Sequence, residues 1–195
     1  MKKLTLILAL AIIGFTSAKA QVEIKGLVGM NFATFHGTDA DISAKAGYQF
    51  GGGVLIGDKF YVEPGIQFVR NSRSILVSEG STIGEVDFSQ NLVKIPVYAG
   101  YHVLGHESDM FALRLFAGPS VSIPGSIKDG DEFFDKDNIN SAIWAIDGGI
   151  GLDILFLFVE ANYEYSLNDY FSDAFNGDNG KHGAFIINAG VHIDF

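Results

Sequence analysis

The chain has 195 residues, of which 48% are hydrophobic and 18% charged, with 24 glycines, no cysteine and a formal net charge of −10. The hydrophobic fraction can fill the core of one domain, which excludes an intrinsically disordered chain. The missing cysteine excludes disulfide scaffolds, thiol nucleophiles and cysteine-ligated metal centres. The acidic balance argues against nucleic acid as a partner, because sequence-independent binding to nucleic acid requires a basic surface.

The N-terminal segment has the three parts of a secretory signal. A pair of lysines precedes an apolar stretch at residues 4–15, and small residues in the A-x-A pattern follow, ending at Ala20. The apolar stretch is too short to cross a bilayer as a helix. We therefore predict a cleaved signal peptide at residues 1–20 and a single exported domain at residues 21–195.

After the signal, apolar residues recur with a period of two, which is typical of β-strands with one apolar and one polar face. The pattern fills eight segments, at about residues 22–34, 44–56, 59–70, 91–103, 110–123, 142–153, 156–167 and 183–195. One face carries aliphatic and aromatic side chains such as Val28, Ile66 and Ile150. The charges lie on the opposite face: Glu23, Lys25, Lys45, Glu63, Lys94, Arg114, Asp147, Asp153, Glu160, Glu164 and Asp194.

The connections between the segments alternate in length. Those after the second, fourth and sixth segments are short, whereas the others are long and polar, at about residues 35–43, 71–90, 124–141 and 168–182. Transmembrane barrels have short periplasmic turns and longer outer loops. The pattern predicts an all-β fold, an eight-stranded antiparallel up-and-down transmembrane β-barrel, with its short turns in the periplasm.

Alternation alone leaves open which face of the barrel is apolar. A soluble lipocalin-like barrel would place the apolar face inside around a small apolar ligand, and an outer-membrane barrel would place it outside. The polar face is rich in glycine, which leaves room in a narrow lumen for large side chains such as Tyr61, Tyr98 and Phe116. Aromatic residues also end several apolar stripes, as in the girdles of membrane barrels. These features favour the cell outer membrane, with its lipid as the partner of the apolar face.

A cluster of charged residues is expected inside this barrel. Counting residues from the short-turn end brings acidic side chains to the level of Arg114 and Lys25, although the stagger of the strands leaves individual pairs open. A buried guanidinium needs carboxylate partners, because an unpaired charge is costly to bury. The predicted structural lumen cluster consists of Lys25, Glu63, Lys94, Arg114, Asp147 and Glu160.

Several stretches resemble one family of outer-membrane barrels. The chain ends at Phe195 with apolar residues at every second position before it, which looks like the signal read by the outer-membrane assembly machinery. The segments at 24–32, 60–68, 92–98 and 116–121 resemble the PorT-type outer-membrane β-barrel family of Bacteroidetes, a group of small barrels similar to OmpA and OmpX. The resemblance covers the mature chain and implies a barrel inserted through Phe195. The secretion role of the namesake branch is not implied.

The expected function is that of a non-enzymatic outer-membrane protein, porin-like in architecture but with a lumen filled by side chains. Its role would be structural in the envelope or would depend on binding by the outer loops, and no catalytic, cofactor or metal site is predicted. The alternatives are the soluble lipocalin-like barrel and an outer-membrane hydrolase or acyltransferase using His36 and His182 at the outer rim. The acidic loops at 129–137 and 169–178 leave calcium binding open, although neither has the spacing of an EF-hand.

Overall fold

The structure is a computed structural model that describes residues 21–36, 42–44, 46–79, 82–105, 110–128, 142–168 and 181–195. The predicted signal peptide at 1–20 lies outside these residues, as do the acidic stretches at 129–137 and 169–178. In the described part of the chain, no helix is long and apolar enough to cross a membrane.

The described elements are nine β-strands: β1 (Gln21–His36), β2 (Ile42–Ala44), β3 (Ala46–Gly57), β4 (Phe60–Glu79), β5 (Thr82–Leu104), β6 (Phe111–Lys128), β7 (Ile143–Ile154), β8 (Leu157–Ser166) and β9 (Lys181–Asp194). Strands β2 and β3 both pair with β4 and follow each other on either side of position 45. They therefore form two parts of one barrel strand, so that the barrel has eight.

The barrel closes through two pairings. With β2 and β3 counted as one barrel strand, each barrel strand is antiparallel to the next, and β4 pairs with β5 to join the two ends of the sheet order. The first and last strands pair along most of their length, from Glu23 opposite Asp194 to His36 opposite Lys181. The prediction of a closed eight-stranded antiparallel barrel is confirmed. Closure leaves no unpaired sheet edge in the barrel wall formed by the described residues.

The apolar face lies on the outside of the barrel. Val28 is 64% exposed, and Ile66 and Ile150 are 50% and 45% exposed, whereas Lys25 and Arg114 on the other face are almost fully buried. The alternative of a soluble barrel with its apolar face inside is therefore wrong. An outer surface of this composition requires an apolar solvent, which a bilayer supplies.

One of the expected connections has the predicted form, and another does not. The turn between β3 and β4 is short, as predicted, and is closed by a hydrogen bond from the Asp58 amide to the Phe60 carbonyl (3.2 Å). The stretch at 71–90, expected as a long loop, is instead a β-hairpin in which β4 and β5 stay paired up to Glu79 opposite Thr82. The strand β2 pairs with the same extension. A small sheet therefore continues the barrel wall beyond the apolar band.

Aromatic side chains and glycines fill the central lumen together. Tyr61, Tyr98 and Phe116 form a buried apolar group with Leu55, and the rings of Tyr98 and Phe116 are 5.2 Å apart. Gly100 lies directly opposite Tyr61 on the neighbouring strand, and a methyl group there would overlap the tyrosine ring. The glycines of the polar face therefore provide the volume that the rings occupy.

Candidate functional site

The polar interior of the barrel contains two groups of buried ion pairs. The first lies towards the short turns, and we call it the turn-side cluster (Lys25, Glu63, Arg114, Asp153 and Glu160). The Arg114 guanidinium donates two hydrogen bonds to the Asp153 carboxylate (2.6 and 2.8 Å) and one to Glu160 (3.0 Å). The Lys25 ammonium donates to Glu63 (2.8 Å) and to the same oxygen of Glu160. Two bases and three acids thus form one connected network.

Aromatic rings complete the surroundings of the turn-side cluster. The Lys25 ammonium lies 4.4 Å from the centre of the Phe158 ring, and the Tyr61 hydroxyl accepts a long hydrogen bond from Arg114 (3.4 Å). Rings placed around cations add an electrostatic attraction and exclude water. The paired charges of the turn-side cluster are therefore flanked by aromatic rings.

The second group, the central cluster, consists of Lys94, Asp147 and Glu164. The Lys94 ammonium donates to Asp147 (2.6 Å) and to Glu164. The second oxygen of Asp147 accepts a hydrogen bond from the Ser120 hydroxyl (2.6 Å). Each oxygen of this buried carboxylate thus has a donor, as the burial of a charge requires.

Both clusters join strands that are not hydrogen-bonded neighbours. Lys25 on β1 reaches Glu63 on β4 and Glu160 on β8, each with one strand between, on opposite sides of β1. Lys94 on β5 reaches Glu164 on β8, with two strands between them. These side chains therefore cross the lumen and tie its opposite walls together.

The structure places all six residues of the predicted lumen cluster inside the barrel, but it groups them differently from the depth count. Asp147 lies beside Lys94 rather than at the level of Arg114. The closest partner of Arg114 is Asp153, which the prediction left out, as it left out Glu164 beside Lys94. Strand stagger causes the difference, since tilted strands bring together residues at unequal distances from their turns.

A layer of side-chain amides lies in the lumen on the side of the charged clusters that is away from the short turns. The side-chain amide of Gln49 donates to Asn188 (2.7 Å) and, more weakly, to Gln67 (3.5 Å). Asn31 and Gln90 are also buried, and their amides make no hydrogen bond to another described residue. The cavity beside these groups is about 20 Å³, enough for one water molecule.

A third polar group lies at the mouth on the short-turn side. Glu23 on β1 and His192 and Asp194 on β9 face a cavity of about 70 Å³ that Asp58, His102 and Asp153 also line. Sequence reasoning did not single these residues out. The sequence could have pointed to them, because barrel closure places the start of β1 beside the His-x-Asp motif at the end of β9.

The histidines of the alternative enzymatic site lie at the opposite rim. Backbone pairing puts His182 opposite Phe35 and His36 opposite Lys181, so the expectation that these strands are neighbours is confirmed. The side chains of both histidines lie outside the part of the chain whose side chains the structure describes. No catalytic geometry is therefore assigned there.

Comparison with known proteins agrees with the architecture. The Neisserial surface protein NspA superposes with a TM-score of 0.51 at 13% identity, covering 88% of this chain and 97% of its own. OprG from Pseudomonas aeruginosa gives a TM-score of 0.49 at 13% identity, covering 91% and 96%. Comparison with the sequences of curated proteins gives no match. At this identity the likeness to NspA concerns the fold alone.

The sequence itself matches a family model over most of its length. The model describes an outer membrane protein beta-barrel domain, and it matches residues 16–172. The closed barrel, its apolar outer surface and its paired lumen charges are the features that such a domain requires. The chain belongs to the family of outer membrane beta-barrel domain proteins.

Proposed function

We propose that this protein is a non-conducting and non-enzymatic component of the outer membrane, whose role is structural or is carried by the segments beyond its outer rim. The observation that carries the proposal is the pair of ion clusters crossing the lumen. Lys25, Lys94 and Arg114 hold the opposite walls together at two levels. Among the described residues, the cavity beside the amides is about 20 Å³ and the cavity at the short-turn mouth is about 70 Å³, volumes that suit water molecules.

The pairing of the buried charges also supports a non-enzymatic role. The carboxylates of Asp147, Asp153 and Glu160 accept hydrogen bonds from fixed cationic donors. A general base needs a carboxylate within reach of a substrate, and a carboxylate enclosed by its own cations does not offer one. These clusters therefore serve to stabilise the wall of the barrel.

Conductance measurement tests the closed lumen. The full mature chain, refolded and inserted into planar lipid bilayers, is expected to show no stable conductance step, while a general diffusion porin in the same bilayers conducts. Reproducible ohmic steps from the folded barrel would overturn the proposal. Heat-modifiable mobility on a gel identifies the folded form that is measured.

The extended hairpin supports a binding role over a purely structural one. Strands β4 and β5 stay paired from Asn71 opposite Gln90 to Glu79 opposite Thr82, about 30 Å of strand at the usual rise per residue. An ordered projection of this size offers a partner a preformed surface, which lowers the entropic cost of association. Membership of the PorT-type branch is a narrower proposal, supported by the strand motifs described above.

Complementation separates the two roles. A cell lacking the gene is given either the full chain or a chain in which residues 73–88 are replaced by a two-residue turn. We expect the shortened chain to fold and to reach the membrane but to fail to restore the wild-type phenotype. Full restoration by the shortened barrel would instead assign the function to the barrel itself.

A further inference from the structure

The mouth on the short-turn side brings one imidazole and two carboxylates together. Glu23 lies directly opposite Asp194 in the ladder between β1 and β9, and His192 is two residues before Asp194 on the same face. The ligand atoms of the three side chains all lie within 4.8 Å of one another. The side chains of His192 and Glu23 are only 11% and 13% exposed, whereas Asp194 is open to the mouth.

The distances between these atoms match those between the ligands of a small divalent cation. His192 Nδ1 is 3.0 Å from the nearer Glu23 oxygen and 3.6 Å from an Asp194 oxygen. Neighbouring ligands of tetrahedral Zn²⁺, each about 2.0–2.2 Å from the metal, are roughly 3.3 Å apart. The observed separations lie on either side of that value.

The imidazole of His192 faces both carboxylates. Both ring nitrogens are buried, and neither makes a hydrogen bond of acceptable geometry with a described residue. Nδ1 lies 3.0 Å from a Glu23 oxygen, an ion-pair distance that holds the two ligand atoms side by side. A metal ion between the two atoms would satisfy the nitrogen and the oxygen together.

The charge of the interior also favours a cation at this mouth. The buried lumen side chains include three bases and five acids, and Glu23 and Asp194 add two further carboxylates at the rim. The bases are already engaged in the turn-side and central clusters. The cationic group nearest to the two rim carboxylates is the His192 imidazole itself, and a divalent ion shared by all three side chains would balance the negative charge more fully.

We propose that Glu23, His192 and Asp194 bind a divalent transition-metal cation of the zinc type at the short-turn mouth of the barrel. One imidazole with two carboxylates suits zinc and its neighbours better than calcium, which takes six to eight oxygen ligands. The cavity of about 70 Å³ beside the three residues leaves space for water to complete the coordination. Because its ligands come from β1 and β9, the ion joins the first and last strands where the barrel closes.

Zinc binding by the refolded mature chain tests the site. Barrels freed of metal with a chelator and dialysed against Zn²⁺ are expected to retain one Zn²⁺ each by elemental analysis. The variants His192→Gln and Asp194→Asn should lose this zinc. The matched control is His102→Gln, because His102 lines the same cavity from the far side but instead bonds the Asp58 carbonyl (2.9 Å). This control should keep the zinc.

A stability measurement provides a second readout. Zn²⁺ should raise the unfolding temperature of the wild type and of His102→Gln, but not that of His192→Gln, since a ligand stabilises only the state that binds it. The heat-modifiable gel shift establishes that each variant is folded. Absence of zinc from the wild type, equal retention by His192→Gln, or displacement of Zn²⁺ by equimolar Ca²⁺ would each overturn the proposal.

Discussion

At the scale of single residues, the arrangement around Arg114 shows how a guanidinium is kept inside a narrow barrel. The side chain is 1% exposed and donates to Asp153 through two nitrogens in a forked geometry. A third hydrogen bond reaches Glu160, which Arg114 shares with Lys25. Because Glu160 has two cationic partners, removal of one base changes the surroundings of the other. The turn-side cluster is therefore expected to respond as a unit.

Replacing Arg114 with methionine tests the energetic weight of this cluster. The Arg114→Met variant keeps a long apolar side chain but leaves the Asp153 carboxylate buried without its donor. Breaking one side of a buried ion pair typically costs about 3–5 kcal/mol. We expect the free energy of unfolding in urea, measured in lipid vesicles, to fall by about that amount.

The control for Arg114→Met is Lys59→Met, which removes a positive charge from an exposed position in the turn between β3 and β4. Surface substitutions of this kind usually change stability by less than about 0.5 kcal/mol. Equal unfolding midpoints for the two variants would show that the buried cluster contributes nothing specific.

The residues of the lumen could be predicted from the sequence, but their pairing could not. In a strand the side-chain period is two, so the parity of Lys25, Glu63 or Arg114 within its segment determines its face. Pairing across the lumen depends also on the shear of the barrel and the tilt of its strands, which no local pattern contains. Asp153 is therefore a residue that a depth count misses, although the pairing of β6 with β7 places it diagonally opposite Arg114.

At the scale of the strands, the apolar–polar alternation predicted the barrel segments but not the hairpin of β4 and β5 that extends beyond them. Residues 71–90 read as a polar loop because their charges and serines break the apolar stripe. A local signal pointed to a hairpin, since Gly80 and Ser81 form a pair typical of two-residue connections. Beyond the apolar band neither face of the strands contacts lipid, so neither face needs to be apolar. The strands there lack the period-two pattern of apolar residues by which the barrel segments were recognised.

Glycine positions along the strands differ in their tolerance of a methyl group, as one lumen-facing glycine and one on the outer face show. At Gly100 an added Cβ would overlap the buried Tyr61 ring, whereas at Gly148 no atom lies within 4 Å. Overpacking of a filled core typically costs about 1–3 kcal/mol. We expect Gly100→Ala to lower the free energy of unfolding in urea by about that amount.

Gly148→Ala should be neutral or slightly stabilising, because a strand glycine costs conformational entropy on folding. In a Tyr61→Leu background the cost of Gly100→Ala should shrink, since the ring that it meets is gone. A similar loss from both alanine variants in the wild-type background would mean that strand propensity rather than ring packing governs these positions.

At the scale of the whole molecule, the two ends of the barrel are unequal. One end has tight turns, including a residue with positive φ, Leu155 (56°), between β7 and β8. The other end carries the long connections and the hairpin of β4 and β5. In outer-membrane barrels the short turns face the periplasm. That orientation would place the zinc-type site in the periplasm and the hairpin outside the cell.

Single-cysteine labelling tests this orientation without background, because the chain contains no cysteine of its own. Lys59→Cys places a thiol in the short turn between β3 and β4, and Glu79→Cys places one at the far end of β4. A membrane-impermeant maleimide applied to intact cells should modify Glu79→Cys and leave Lys59→Cys unmodified, because only the first is predicted to face the medium. Both variants should react after the cells are lysed, which serves as the control for thiol reactivity. Labelling of Lys59→Cys but not Glu79→Cys on intact cells would reverse the topology and move the His192 site to the cell surface.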